Sequence, residues 1–176
     1  MLDYLESTLD SLSRVSSEKE VSEIRRELTA AGVLRAPKGG KERKIKPLGP
    51  MRCVSSTGYE ILIGRSNAQN DELTLKTARR TDIWLHVQKV HGSHVIISCG
   101  GTTPPDDTVT QAAQLAAYYA ETGGGQNIPV DVTAVKQVKK IPNGKPGMVI
   151  YHTYRTVIAN PYPDIAVDAL NAETKE

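Results

Sequence analysis

The sequence has no phenylalanine, one tryptophan and only two cysteines. Cys53 and Cys99 lie far apart and lack CxxC spacing, so they indicate neither a disulfide framework nor a zinc knuckle, and we expect buried, reduced thiols. No apolar run approaches the roughly 20 residues that a membrane span needs. The N-terminus is acidic where a signal peptide would be basic. These absences favour a cytoplasmic protein.

Positive charge is unevenly distributed, although the formal net charge is only +2. Residues 35–50 combine glycines and prolines with a run of basic side chains against the single acid Glu42. The basic residues are Arg35, Lys38, Lys41, Arg43, Lys44 and Lys46. We interpret 35–50 as a basic linker, which is either a tether that contacts phosphates or a solvated spacer that contacts nothing.

Residues 1–34 carry apolar side chains at the three-and-four spacing of an amphipathic helix. These are Leu2, Leu5, Leu9, Leu12, Val21, Ile24 and Leu28. Ser16 and Ser17 followed by Glu20 resemble a capping box that opens a second helix, and Gly32 is placed to end it. We expect a helical hairpin, the end of a coiled-coil region, whose leucine stripe needs a partner helix that is missing from the chain.

Residues 51–163 mix strand and helix patterns, which predicts an α+β domain. Its sheet should be mixed or antiparallel with packed helices, and residues 164–176 form a tail. The predicted strands cover 51–54, 59–63, 83–87, 94–99, 130–138, 148–152 and 155–159. One predicted helix is capped by Asn70 and ends at Arg79 and Arg80, and a second, rich in alanine, covers 109–121.

The densest polar cluster lies between residues 67 and 94. If 83–87 is a strand, Asp82, Trp84 and His86 share one face, because side chains alternate along a strand. A tryptophan beside histidine and amides can stack on an unpaired base. In the alternative interpretation, Trp84 fills the core, and His86 and His94 are satisfied by the backbone.

Two catalytic interpretations receive less support. His86, His91 and His94 could supply the ligands of a metal-dependent hydrolase, but their spacing fits no familiar zinc pattern. Ser93 and His94 are adjacent, so on a strand they point to opposite faces and do not form a nucleophile and base pair. We expect no enzyme activity, no metal and no cofactor.

Two groups of basic residues could contact a nucleic-acid backbone. Arg65, Lys76, Arg79 and Arg80 would form a positive helix face, and Lys139, Lys140 and Lys145 flank a glycine-rich turn. In the alternative interpretation, the first group is only a solvated helix end and the second is only a plain hairpin turn.

Three runs together resemble the NFACT-R domain of the NFACT (NEMF-like) family. They are Gly64-Arg-Ser-Asn-Ala-Gln-Asn-Asp71, Asp82-Ile-Trp-Leu-His86 with Gly92-Ser-His-Val-Ile-Ile97, and Lys145-Pro-Gly-Met-Val-Ile-Tyr151. The resemblance implies an RNA-binding module that binds tRNA and the large ribosomal subunit carrying a stalled nascent chain. It implies support for template-free C-terminal alanine tailing, without covalent chemistry by this domain.

The predicted RNA-binding residues combine the motif residues with the basic groups. They are Arg65, Asn67, Gln69, Asn70, Asp71, Lys76, Arg79, Arg80, Asp82, Trp84, His86, Ser93, His94, Lys139, Lys140 and Lys145. His91 departs from the family, which usually has proline there, so that turn is looser or gains a titrating group. Some family members are labelled fibronectin-binding, so a fibronectin- or fibrinogen-binding adhesin module is the alternative function.

Overall fold

A helical hairpin opens the chain in the computed structural model, which describes residues 1–36 and 47–161. Helix α1 covers Leu2–Ser13 and α2 covers Glu18–Ala30. Ser17 caps α2, and the Ser17 and Glu20 side chains form the predicted capping box. Gly32, with φ of +76°, follows the end of α2. The predicted hairpin is therefore confirmed.

A six-stranded antiparallel sheet forms the body of the chain, with strand order β1-β2-β4-β3-β5-β8. Its strands are β1 Met51–Val54, β2 Glu60–Ile63, β3 Ile83–Val87, β4 Val95–Ser98, β5 Ile128–Ala134 and β8 Arg155–Ala159. Two short strands, β6 Lys139–Lys140 and β7 Val149–Ile150, pair separately as a small hairpin. The predicted α+β class with an antiparallel sheet and N-terminal helices is confirmed.

The two faces of the sheet are covered differently. On the first face, helix α4 (Asp106–Tyr118) packs fully buried small residues, Ala112, Ala113, Ala116 and Ala117, against the strands. On the second face, Leu62, Trp84 and Ile96 lie beneath Leu73, Val135 and Val138. Free Cys53 and Cys99 are both buried, and burial raises the pKa of the Cys53 thiol to about 12.

The helix between β2 and β3 begins earlier than predicted. Ser66, not Asn70, is its N-cap, and α3 covers Asn67–Glu72 before continuing as a π-helical turn over Leu73–Thr77. Asn70 is buried inside this segment because its side chain bonds to the β3–β4 connection instead. Arg79 and Arg80 follow the helical segment, so the prediction that they occupy its last turn is wrong.

The predicted strand over 130–138 is also too long. After Ala134 the chain forms a 3₁₀ turn, Val135–Gln137, because the Val135 and Lys136 N–H groups bond to the Asp82 and Arg80 carbonyls outside the strand ladder. Most of the predicted linker at 35–50 and all of the tail at 164–176 lie outside the described residues. None of the helices within 1–36 and 47–161 has the length and apolar character needed to cross a membrane.

The leucine stripe of α1 faces away from the sheet. Leu2 and Leu9 are each 68% exposed, whereas Tyr4 and Thr8, on the neighbouring side of α1, are buried against the rest of the chain. The hairpin is therefore attached to the sheet body through its polar side, and its apolar stripe stays uncovered by the described residues.

Candidate nucleic-acid interface

The polar motif at residues 64–71 fastens the helical hairpin to the sheet body. Asn67 accepts a hydrogen bond from Ser7 Oγ at 2.8 Å and donates one to Thr8 Oγ1 at 3.3 Å. The Glu27 carboxylate of α2 accepts from the Ala68 N–H at 2.9 Å and from the Tyr4 hydroxyl at 3.0 Å. A glutamate at the start of α3 is favourable, because the first N–H groups of a helix lack partners within it.

Arg65 and Gln69 make further contacts of the same kind. The Arg65 guanidinium lies 2.7 Å from the Glu20 carboxylate, and its Nε donates to the Gly49 carbonyl at 3.2 Å. Gln69 accepts from the Arg65 N–H at 2.7 Å and donates to the Leu48 carbonyl at 2.8 Å. Arg65 therefore holds α2 and the segment before β1, and Gln69 holds that segment alone. The sequence predicted RNA contacts for both.

Asn70 connects α3 to the turn between β3 and β4. Its Oδ1 accepts from the His94 N–H at 3.0 Å, and its Nδ2 donates to the Gly92 carbonyl at 3.4 Å. A Cβ on Gly64 would lie 2.0 Å from Asn70 Oδ1, so only glycine leaves room for this amide.

Asp71 holds the β6–β7 hairpin over the sheet. Its carboxylate accepts from the Gly147 N–H at 2.9 Å and pairs with Lys140 Nζ at 2.7 Å. Lys145 Nζ lies 3.4 Å from the Ala31 carbonyl and 6.0 Å from the centre of the Tyr4 ring. Of the basic residues predicted around this hairpin, Lys140 and Lys145 are thus engaged within the protein, and Lys139 is exposed.

A cleft of about 320 Å³ lies where α1, α3, the β3–β4 turn and the β6–β7 hairpin meet; we call it the histidine cleft. Among its lining residues are Trp84, His86, His91, His94 and Tyr151. The Trp84 and His86 rings stack, with centroids 5.6 Å apart and an interplanar angle of 12°. Their common face on β3 is as predicted.

Trp84 itself is fully buried, and Tyr151 and His94 pack against it at centroid distances of 4.8 and 5.2 Å. A base therefore finds no open indole face, and the interpretation of Trp84 as an exposed stacking platform is wrong. The alternative, in which Trp84 fills the core, describes the structure because Leu73, Val135 and Val138 cover this side of the sheet.

Two of the histidines that line the cleft, His86 and His94, have lowered pKa values. Burial lowers the pKa of His86 and lowers that of His94 well below its ordinary value, and the neighbouring His86 adds to the effect on His94. His94 Nδ1 shares a 2.8 Å hydrogen bond with the Thr74 hydroxyl rather than with Ser93, which is 5% exposed. Ser93 and His94 do not form a dyad.

His91 lies at the rim, where its Nε2 is 3.8 Å from a Glu6 carboxylate oxygen on α1. This pair gains charge attraction only when the imidazole is protonated. Within residues 1–36 and 47–161, no three histidine, cysteine, aspartate or glutamate side chains are placed to hold a metal ion together. The geometry gives no support to the metal-dependent hydrolase.

The sequence interpretation missed Asp131, which anchors Tyr151 at the cleft. The buried Asp131 carboxylate accepts from the Tyr151 hydroxyl at 2.8 Å, from Gln88 Nε2 at 2.6 Å and from the Thr156 hydroxyl at 2.7 Å. Burial and this aspartate raise the pKa of Tyr151. An aspartate within the apolar strand β5 was the available signal, because a buried carboxylate requires partners.

A cationic edge borders the second face of the sheet; it consists of Lys76, Arg79, Arg80, Lys136 and Lys139, all exposed. The Lys136 N–H bonds to the Arg80 carbonyl at 3.1 Å, which brings the two segments together. None of the five forms a salt bridge with another part of the chain that the structure describes. Lys136 was missed because it lay inside a predicted strand.

The buried residue Asp82 positions the part of the cationic edge that carries Arg79 and Arg80. Its buried carboxylate accepts from the N–H groups of Arg79 at 2.8 Å, Cys99 at 3.1 Å and Gly100 at 3.3 Å. Asp82 therefore shapes the turn that carries Arg79 and Arg80, and its own oxygens face backbone donors.

Comparison with known proteins identifies the family to which the chain is similar. Residues 50–153 match the NFACT protein RNA binding domain. The chain is 38% identical over 169 residues to the Rqc2 homolog RqcH of Bacillus subtilis, and 40% identical over 159 residues to that of Streptococcus pneumoniae. These alignments cover 94% and 90% of this chain but only 29% and 28% of the relatives.

A solved structure shares the fold. It is the C-terminal part of the fibronectin/fibrinogen-binding protein of Streptococcus suis, with a TM-score of 0.87 and 36% sequence identity. The match covers 94% of this chain and 66% of that one. The α+β arrangement described above is therefore that of a known structural relative.

Proposed function

The chain belongs to the NFACT family through the RNA-binding domain at residues 50–153, and from this premise we propose that it is the RNA-binding module of a ribosome quality-control factor. It binds the large ribosomal subunit carrying a stalled nascent chain, and tRNA, in the cytoplasm. In the complete protein it supports template-free C-terminal alanine tailing. The family match is the observation that carries the proposal.

The cationic edge supplies a physical basis for RNA binding. Five exposed cations from two adjacent segments, 76–80 and 136–139, present positive charge without neutralisation by described carboxylates. Phosphate contacts of this type release counterions, so affinity falls as salt rises. Four of the sixteen predicted contacts, Lys76, Arg79, Arg80 and Lys139, belong to this edge and are exposed. Arg65, Lys140 and Lys145 are engaged within the protein.

A salt series tests this proposal directly. Binding of tRNA and of purified large subunits to the 176-residue chain is measured by fluorescence anisotropy between about 50 and about 200 mM salt. The test variant carries Lys76→Gln, Arg79→Gln and Arg80→Gln. The matched control carries Lys19→Gln, Arg25→Gln and Arg155→Gln, which removes the same charge from exposed positions elsewhere.

We expect the unmodified chain to bind with a steep dependence of log affinity on log salt. Neutralising the three cationic-edge residues should reduce the magnitude of that slope by about 2 to 3. The control variant should retain most of the slope of the unmodified chain. The absence of any RNA binding at the lowest salt would overturn the proposal. Equal effects of both triple variants would reject the cationic edge as the contact surface.

The tailing role needs the rest of a family protein, because this chain spans less than a third of its relatives. A chimera in which residues 50–161 replace the matching part of the Bacillus subtilis relative would be tested with stalled large subunits and alanyl-tRNA. Alanine addition by the chimera, reduced by the cationic-edge substitutions, is the expected result. A chimera that binds stalled subunits yet adds no alanine would contradict the tailing part.

We propose binding without catalysis for this module. Support comes from His94, whose Nδ1 is committed to Thr74, and from the absence of a histidine or carboxylate cluster for a metal in the described residues. Hydrolysis of RNA or of aminoacyl-tRNA by the purified chain, abolished by His86→Ala, would contradict this.

The alternative function, binding of fibronectin or fibrinogen, is favoured only by the name of the structural relative from Streptococcus suis. Surface plasmon resonance with immobilised fibronectin discriminates the two. Saturable binding that survives high salt and neutralisation of the cationic edge would favour the adhesin, because RNA phosphate contacts would not survive either change.

A further inference from the structure

Tyr154 is the most exposed tyrosine in the part of the chain that the structure describes. It lies in the connection between β7 and β8, and its side chain is 49% exposed. Its ring meets the Tyr151 ring edge to face, with centroids 5.3 Å apart and an interplanar angle of 80°. An edge-to-face contact covers at most one face of each ring, so Tyr151 leaves at least one face of the Tyr154 ring uncovered.

The support of the Tyr154 ring is fixed by the sheet. The Tyr151 hydroxyl donates to the buried Asp131 carboxylate of β5 at 2.8 Å, so the ring against which Tyr154 packs is anchored. The Thr133 hydroxyl donates to the Thr153 carbonyl, which ties the backbone beside Tyr154 to the same strand. A ring that is already held in place loses little conformational freedom when it binds a ligand.

The cationic edge comes close to this ring. Exposed Lys139 of β6 is the strand partner of Ile150 in β7, and Ile150 directly precedes Tyr151 in the chain. Residues 132–154 contain four lysines and no aspartate or glutamate. An open aromatic ring and positive charge therefore lie side by side, and no acidic residue of the same segment repels a phosphate group.

These two features together favour single-stranded RNA as the ligand. Proteins that bind single strands combine positive charge along the backbone with aromatic side chains on which bases stack. A base within a duplex is stacked on its neighbours and paired at its edge, so only an unpaired base can offer a free face to a side chain.

We propose that one unpaired base of the bound RNA stacks on the Tyr154 ring, while Lys139 contacts a neighbouring phosphate. This inference rests on the proposed RNA-binding function and deepens it, because it names single-stranded RNA as the ligand class of the cationic edge. Tyr154 lies just beyond residues 50–153, which match the family domain, and it was not among the residues predicted from the sequence.

A matched pair of tyrosines tests the stacking. Tyr118, 37% exposed at the end of α4, makes the same edge-to-face contact with its neighbour Tyr119, at a centroid distance of 5.0 Å and an angle of 85°. Tyr154→Leu, Tyr154→Phe and the control Tyr118→Leu are compared with the unmodified 176-residue chain by fluorescence anisotropy. The probes are a single-stranded oligouridylate and a blunt RNA duplex of the same length.

Tyr154→Leu should weaken oligouridylate binding about tenfold, because the base loses the ring on which it stacks. Tyr154→Phe, which keeps the ring, and Tyr118→Leu should bind as the unmodified chain does. Duplex affinity and the salt dependence of binding should stay the same in all variants, since stacking releases no counterions.

The possible failures of the two proposals are distinguishable. An unchanged oligouridylate affinity of Tyr154→Leu, or an equal loss of duplex affinity, would overturn base stacking and leave RNA binding intact. Binding of the duplex alone would overturn it as well. No binding of either RNA by the unmodified chain would reject the RNA-binding function itself.

Cross-linking covers the case in which Tyr154→Leu fails to fold, because it needs no variant. Oligouridylate that carries thiouridine, a base that bonds covalently to touching side chains under near-ultraviolet light, is irradiated with the unmodified chain. Mass spectrometry then identifies the attached residue. Tyr154 is the expected position, and cross-links confined to other residues would contradict the placement of the base.

Discussion

The Arg65 guanidinium and the Glu20 carboxylate form a nearly buried ion pair, 2.7 Å apart, between the sheet body and the second N-terminal helix. Their side chains are only 12% and 10% exposed. Glu20 also accepts from the Ser16 and Ser17 N–H groups at the start of α2. One carboxylate thus caps a helix and joins that helix to the family motif.

The Glu20 pair makes stability depend on pH. Burial raises the pKa of Glu20, but the Ser16 hydrogen bond and Arg65 outweigh it, so the pKa lies below its ordinary value. A depressed carboxyl pKa stabilises the fold above the unfolded-state pKa, and this contribution is lost as pH falls through the folded-state pKa. Glu20→Gln should therefore lower the free energy of unfolding by about 1–3 kcal/mol at neutral pH, with the difference vanishing in acid.

Urea unfolding of Glu20→Gln and of the unmodified chain between neutral and acid pH measures this. Glu18→Gln, an exposed glutamate in the first turn of the same helix, is the control because it shares the helix dipole but has no ion pair among the described residues. A Glu20 effect that is the same at every pH, or no larger than that of Glu18→Gln, would contradict the role of the pair.

Asn67 should control how firmly α1 is attached. Asn67→Ala removes the hydrogen bonds to Ser7 and Thr8 but leaves the strand ladders intact. At about 1–2 kcal/mol for the lost bonds, amide hydrogen exchange in α1 should become roughly tenfold faster. Exchange in the six-stranded sheet should stay unchanged. Gln126→Ala, at an exposed position, is the control, and uniform acceleration across sheet and hairpin would contradict a local attachment.

Local sequence signals were sufficient wherever one short segment contains both partners. The capping box of Ser17 and Glu20 and the β1–β2 hairpin follow from neighbouring residues, and both are observed. Asn70 is a residue whose role could not be predicted from its neighbours in sequence. Its partners, Gly92 and His94, lie 22 and 24 positions away, so the sequence suggested an N-cap and the structure shows a tertiary contact.

The same limit of local sequence patterns applies to the candidate site. Alternation along β3 correctly placed Trp84 and His86 on one face, but it could not reveal what covers that face. Leu73 and Val138 come from distant parts of the chain and bury Trp84. The sequence predicted RNA contacts for the polar residues of the family motif. The structure shows that three of them, Arg65, Asn67 and Asp71, have partners within the protein.

Gly64 should tolerate no side chain. A Cβ there would lie 2.0 Å from Asn70 Oδ1, so the amide must move and release the His94 N–H and the Gly92 carbonyl. Gly64→Ala should cost about 3 kcal/mol or more in the free energy of unfolding, measured by urea denaturation. Gly49→Ala is the control, since nothing lies within 4 Å of its added Cβ.

A double-mutant cycle identifies the cause. If the clash with the Asn70 amide is the reason, Gly64→Ala should cost less in an Asn70→Ala background than in the unmodified chain. Equal costs in both backgrounds would mean that another neighbour of Gly64 is responsible.

Substitution of Asp82 tests whether this residue positions the cationic edge or contacts RNA directly. Its carboxylate accepts three backbone hydrogen bonds that hold the turn carrying Arg79 and Arg80 against the Cys99–Gly100 corner. Asp82→Ala should leave these donors unpaired and lower the free energy of unfolding by about 2–4 kcal/mol, with or without RNA. Thr81→Ala, at the exposed neighbouring position, should have little effect.

RNA affinity measured well below the unfolding temperature completes the Asp82 test. Because the carboxylate faces backbone donors, its removal should weaken RNA binding only through the misplaced Arg79 and Arg80, and the salt slope should fall as it does when those arginines are neutralised. Adding Asp82→Ala to the variant that lacks Lys76, Arg79 and Arg80 should therefore cause little further loss. A full, additive loss of affinity in that background, with stability unchanged, would instead make Asp82 a direct RNA ligand.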